Sequence, residues 1–209
     1  MHIRSLDEAP EFAPHVLEAL RTPMESGYVS ISRSNTIIRY PAQFQLILAA
    51  NPCPCGMAGT PGSRCHCPSQ SIRRYNTRLS GPILDRIDIH QRLNSVTRAM
   101  VRADTSAESS AQVAERVAEA RLRGQRRWQG SGWCRNAEVP GHIARAGLSD
   151  DCLSIVEKDV LQGQMSARGV DKVARLSWTL ADLAGRDKIE TDDVVLAMAL
   201  HHCEWMVAV

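Results

Sequence analysis

The segment Phe44–Ala50 constrains the fold most. It is short, largely apolar and bounded by turn residues, as expected for a strand covered on both faces of a parallel sheet. Parallel strands need crossover connections, so this part of the chain is predicted to be α/β. The strand ends at the polar Asn51. A loop rich in proline and glycine follows over residues 51–68 and carries Cys53, Cys55, Cys65 and Cys67. Ser69–Leu79 then reads as a helix and Ile87–Leu93 as a last short strand. Between them, Leu84-Asp-Arg-Ile-Asp88 sets Arg86 among carboxylates.

Upstream, Leu6 closes a strand-like fragment and is followed by Asp7 and Glu8. Phe12, Val16, Leu17 and Leu20 mark one face of a short helix. Tyr28–Ile31 and Thr36–Tyr40 are β-rich runs around Ser34-Asn35, a hairpin pattern. Residues 94–107 lack periodicity and read as a linker. Beyond them the pattern is helical throughout. Ser109 with Gln112 forms a capping box ahead of Val113, Val117 and Ala120. Ser149 with Asp150 and Asp151 starts another helix, and Ser166 caps a third with the apolar face Val170, Val173, Ala174, Ser177, Ala181 and Ala184. Thr191 is the expected cap of the last. The predicted domains are an α/β layer over 1–95, a linker over 96–107 and an all-helical domain over 108–209.

Composition narrows the class of protein. A chain of 209 residues with 44% hydrophobic and 23% charged content can bury a sizeable core. Aromatic residues make up only 4%, so an aliphatic core is expected. The net charge of +2 selects no partner by itself. No apolar run reaches the roughly 18 residues of a membrane span, and no signal-peptide pattern opens the chain, so a cytoplasmic location is expected. In a reducing compartment, two Cys-x-Cys pairs favour metal over disulfides. Four thiolates could close a tetrahedral Zn²⁺ site with His66 as a spare ligand, or the thiols could stay unligated. Cys134, Cys152 and Cys203 are scattered and read as ordinary core or surface residues.

Taken in order, Leu6-Asp-Glu-Ala-Pro-Glu-Phe12, Val16-Leu-Glu-Ala-Leu-Arg21, Met24-Glu-Ser-Gly27, the Asn51 strand, the cysteine loop and Leu84-Asp-Arg-Ile-Asp88 closely resemble the YifB/ComM family of magnesium-chelatase-like AAA+ ATPases. The similarity runs to about His202. The resemblance implies an AAA+ core followed by a helical lid. It implies that Asp7 is the Mg²⁺-associated Walker B aspartate, Glu8 the catalytic glutamate and Asn51 the sensor asparagine facing the γ-phosphate. Arg86 then matches the arginine finger, which serves a neighbouring subunit and so implies a ring, a homo-hexamer. Arg168, in Met165-Ser-Ala-Arg168, resembles the lid's sensor arginine, and ATP with Mg²⁺ are the implied cofactors. The family's ComM-type members promote DNA branch migration in recombination and competence, which makes DNA the expected partner.

The residues themselves leave alternatives open. Asp7 and Glu8 could be solvated carboxylates at a helix start, Asn51 could merely open the turn before Pro52, and Arg86 could pair with Asp85 or Asp88. Arg168 sits at the positive end of a helix dipole, a conflict that a bound anion would relieve. Arg73, Arg74 and Arg78, or Arg121, Arg123, Arg126 and Arg127 beside Trp128, could neutralise DNA phosphates or be plain solvated faces. The Tyr28–Tyr40 hairpin with Arg33 is a further candidate for DNA contact. No Gly-x-x-x-x-Gly-Lys-Ser/Thr occurs in the sequence, so weak or no ATP hydrolysis is expected of the chain alone. Without a P-loop strand, the N-terminal part is expected to be poorly stable alone, and the helical part to fold independently. Rival readings are a magnesium-chelatase-type ATPase subunit and a non-catalytic, zinc-bearing module that binds DNA or protein.

Overall fold

The computed structural model describes residues 2–33, 36–59, 62–93 and 108–202. They form two compact units, one ending at Ile87 and the other starting at Asp88. The predicted linker 96–107, the hairpin tip Ser34-Asn35 and Cys203 lie outside the described residues. Mixed α/β structure precedes an all-helical part, as the sequence predicts.

In the α/β unit, β1 (His2–Leu6) pairs in parallel with β4 (Phe44–Leu48), in register from His2↔Phe44 to Leu6↔Leu48. Between them come α1 (Pro14–Ala19), α2 (Arg21–Ser26) and the antiparallel ribbon of β2 (Tyr28–Arg33) and β3 (Thr36–Pro41). Proline opens α1 because the first helical position needs no N–H. Gly27, at φ +72°, ends α2 in the left-handed conformation that turns the chain into β2. After β4 follow α3 (Ser69–Asn76) and the short α4 (Gly81–Leu84). Leu17, Tyr75, Leu79 and Ile83 are buried here. The expectation for Phe44–Ala50 needs correction. Burial alternates along β4 and Ile47 is 46% exposed, because among the described residues β4 has a single partner strand.

Ile87–Leu93 is not a strand. The Ile87 N–H turns back to Leu84 O, whereas the stretch from Asp88 belongs to the helical unit, where the His90 N–H donates to Leu200 O at 2.6 Å. Asp88 O accepts from His201 Nδ1 at 3.2 Å, and Lys172 Nζ lies 3.3 Å from the Asp88 carboxylate. Burial, together with the charges of Lys172 and His202, holds His201 below its ordinary pKa of 6.5, although the bond to Asp88 opposes the shift.

The helical unit comprises α5 (Ser110–Arg127), α6 (Gly141–Arg145), α7 (Asp150–Leu161), α8 (Ala167–Leu183) and α9 (Thr191–His201). Three predicted caps form. Ser109 and Gln112 close their reciprocal box, Ser149 Oγ accepts from Cys152 N–H, and Ser166 Oγ accepts from Gly169 N–H. The fourth is shifted by one residue: Glu190, not Thr191, is the N-cap of α9, and Asp193 closes the box by accepting the Glu190 N–H at 2.9 Å. Along α8, Val173, Ala174, Ser177 and Ala181 are buried as predicted, whereas Ala184 is exposed.

The buried core of this unit is mainly aliphatic, as expected, with Trp178 its one aromatic member among the described residues and Trp128 and Trp133 packed half-buried against it. Trp128 stands edge-on to both Trp178 and Trp133, at 6.0 and 6.1 Å. Asp182, 2% exposed, takes both nitrogens of the Arg127 fork at 3.0 and 2.6 Å and a third bond from Asn136. The Arg127 guanidinium also lies 4.0 Å over Trp178, and Arg123 donates to Asp182 O. These two arginines therefore hold the core together. A Cβ on Gly147 would come within 2.1 Å of the Trp178 ring. Gly147→Ala should accordingly destabilise the helical unit by about 1–3 kcal/mol in chemical denaturation followed by tryptophan fluorescence.

Candidate nucleotide edge and metal centre

The end of the β1–β4 pair positions the acidic candidates. Ala49 donates its N–H to Leu6 O at 2.9 Å and accepts the Ala9 N–H at 2.8 Å. Both bonds go to one residue, so Asp7 and Glu8 loop out between them. Glu8 adopts φ 51°, ψ 43°, the sole non-glycine residue at positive φ among the described residues. Such strain of about 1–3 kcal/mol persists only where neighbours enforce it, and here the Ala49 bracket does so. The Glu8 N–H donates to Asp7 Oδ1 at 3.0 Å, and both carboxylates are exposed. Asn51, two residues past Ala49, leaves β4 at the same end and is also exposed. Asp7, Glu8 and Asn51 thus share the carboxyl edge of parallel strands, where open α/β sheets bind ligands.

Tyr75 connects this edge to the cysteine loop. Burial raises the pKa of its phenol first of all. A hydrogen bond from the Asn51 backbone opposes the rise, and the charges of Glu11, Glu8 and Cys53 add to it. The residue escaped the sequence reading, although Ile72 and Tyr75 follow helical spacing on the inward side of α3.

Arg86 pairs with neither Asp85 nor Asp88 among its hydrogen bonds and ion pairs. Its Nη2 lies 2.6 Å from Glu25 Oε1, and Nη1 donates to Pro82 O at 2.5 Å. The side chain is 10% exposed, and Nε is buried without a hydrogen-bond partner among the described residues. Nearby, Glu18 accepts from Arg21 and from Ser80 Oγ, and these bonds hold its carboxyl below the usual range. Arg78 is committed to Pro10 O and Glu11. Arg168 is the exposed second residue of α8.

The four loop cysteines converge. All four sulfurs lie within 4.8 Å of one another, and Cys53, Cys55 and Cys65 are separated by 3.4–3.7 Å. Tetrahedral zinc with sulfur bonds of about 2.3 Å would set sulfurs about 3.8 Å apart, so the donor set fits that ion. Burial would raise the Cys53 thiol, but the Ala58 N–H at 3.3 Å and the Cys55 and Cys65 thiols outweigh it and lower the pKa to about 6. Cys65 is pushed up to about 12. The Cys67 N–H opposes that rise, but desolvation and the neighbouring sulfurs, which resist a second negative charge, prevail. A divalent cation removes that conflict by favouring thiolate at every position.

Residues 3–101 match the family model described as magnesium chelatase, subunit ChlI, and residues 107–201 match the model of that subunit's C-terminal part. Competence protein ComM of Haemophilus influenzae is 36% identical over 186 residues, 88% of this chain and 36% of the relative. YifB of Escherichia coli is 51% identical over 84 residues, 40% of this chain and 16% of the relative. The chain belongs to the magnesium-chelatase-like YifB/ComM family. A further relative, from Mycobacterium tuberculosis, is 41% identical over 196 residues, 93% of this chain. The chain spans 38% of that relative's length. No helix among the described residues is long and apolar enough to cross a membrane.

In the metal-free, chelator-treated chain, thiolate absorbance should rise near pH 6, far below the ordinary thiol value of 9.0. Ultraviolet titration should show this step in the unsubstituted chain and lose it in Cys53→Ser.

Proposed function

We propose that this YifB/ComM-family chain is the Walker B, sensor and lid portion of a ring-forming AAA+ ATPase that acts on DNA during branch migration and competence. The observation that carries this reading is the shared strand edge of Asp7, Glu8 and Asn51, fixed by the two backbone hydrogen bonds of Ala49. Asp7 keeps a second carboxylate oxygen for Mg²⁺, which when bound neutralises charge on the transferred phosphoryl group. Glu8 accepts a proton from the attacking water, and Asn51 orients that water through its carboxamide. Arg86 serves a neighbour's phosphate in a homo-hexamer once its ion pair with Glu25 exchanges, and Arg168 acts as the lid's sensor arginine toward nucleotide phosphate. We place the assembly in the cytoplasm.

Zinc is proposed as the ion of the cysteine quartet, in a structural role because four protein ligands leave no open coordination position. Metal analysis should find about one zinc per chain, lost in the Cys53→Ser/Cys65→Ser variant. The chain lacks a P-loop, whose backbone amides and lysine supply most of a phosphate cradle. The purified chain should therefore show no Mg²⁺-ATP hydrolysis above background, and a measured turnover would overturn this reading. A metal-chelatase-type ATPase subunit is the second reading, favoured by the description of both matched family models. Porphyrin metallation assays with partner subunits separate the two.

A further inference from the structure

Charge in the α/β unit is distributed unevenly. No Asp or Glu occurs between Glu25 and Asp85, while Arg33, Arg39, Arg64, Arg73, Arg74 and Arg78 fall inside that stretch. Arg78 is neutralised by Glu11, and Arg39 lies over the Tyr28 ring at 4.8 Å. Arg64, Arg73 and Arg74 are exposed and form no ion pair with a described acid. Beside the cysteine quartet lies an open cavity of about 700 Å³. Pro54, Met57, Pro68 and Ser71 line it, with Arg64 and His66 also in its wall. Arg74 stands one helical turn beyond Ser71, on the same face of α3, and so extends the cationic rim.

We propose that this cavity and its arginine rim are a docking site for single-stranded DNA. Arg64 and Arg74 neutralise successive phosphates, and an unstacked base seats against Met57 and the two prolines. Charge complementarity selects a polyanion, because no carboxylate from the surrounding stretch competes for these arginines. The apolar wall selects a single strand, since a duplex keeps its base faces stacked and out of reach. The quartet shapes the cavity, because Cys55 and Cys67 supply part of its wall. The site rests on the DNA reading above and gives it a location separate from the β2–β3 ribbon.

Fluorescence anisotropy of the full chain with a labelled oligo(dT) of roughly 15 nucleotides tests the site. Arg64→Ala/Arg74→Ala should weaken binding about tenfold or more and reduce the salt slope by roughly 1.4, the loss of two single-strand phosphate contacts. Met57→Ser should weaken the single strand several-fold and leave any duplex binding unchanged. The inference is overturned, with the DNA reading intact, if both variants bind like the unsubstituted chain while Arg33→Ala/Arg39→Ala loses binding. Competition by polyglutamate as effective as unlabelled oligo(dT) also overturns it, in favour of an acidic protein partner. No DNA binding by the unsubstituted chain at low salt removes the DNA reading itself.

Discussion

Two backbone hydrogen bonds to Ala49 govern the α/β unit. One closes the β1–β4 pairing at Leu6 and the other ties Ala9, the first residue of a 3-10 turn, to the same residue, so the two residues between them leave the sheet. That geometry forces Glu8 into left-handed backbone and turns two carboxylates outward at a strand end. Asn51 emerges beside them because it follows Ala49 by two residues on the neighbouring strand. A single point of pairing thus brings together side chains far apart in sequence.

Legibility in the sequence followed the range of the interaction. The caps at Ser109, Ser149 and Ser166 were readable because cap and acceptor lie within three residues. The β2–β3 ribbon was readable from two β-rich runs a few residues apart. Long-range partners were not. Glu25 as the partner of Arg86, Glu11 as that of Arg78, and the Arg127–Asp182–Asn136 network depend on tertiary approach that no local pattern encodes. The strand expected at Ile87–Leu93 failed for a related reason. Its apolar alternation was genuine, yet its backbone found partners at the end of α9 instead of at a sheet edge. The tryptophan cluster was hidden by low aromatic content, which says how many rings exist but not that they gather.

The arginines divide by what they meet. In the helical unit Arg123 and Arg127 are absorbed by Asp182, a buried carboxylate that would be costly if left unpaired. In the α/β unit the acid-free stretch leaves Arg64, Arg73 and Arg74 facing solvent, with Arg64 in the wall of the cavity that Cys55 and Cys67 also line. Counting charges along the sequence, not only within motifs, would have separated these groups. The thiol cluster holds an internal conflict without a cation, since the Cys53 thiol is pulled down while the Cys65 and Cys67 thiols are pushed up. Metal binding and cavity shape are therefore expected to rise and fall together.

The proposed role of the Asp7–Glu8–Asn51 edge is to complete a nucleotide site, for which this sequence supplies no P-loop of its own. The most direct measurement is ATP hydrolysis after mixing the chain with a family member's P-loop-bearing segment. The account predicts Mg²⁺-dependent hydrolysis in the mixture, absent from either part alone and abolished by Glu8→Gln in this chain. Equal hydrolysis with Glu8→Gln would contradict it.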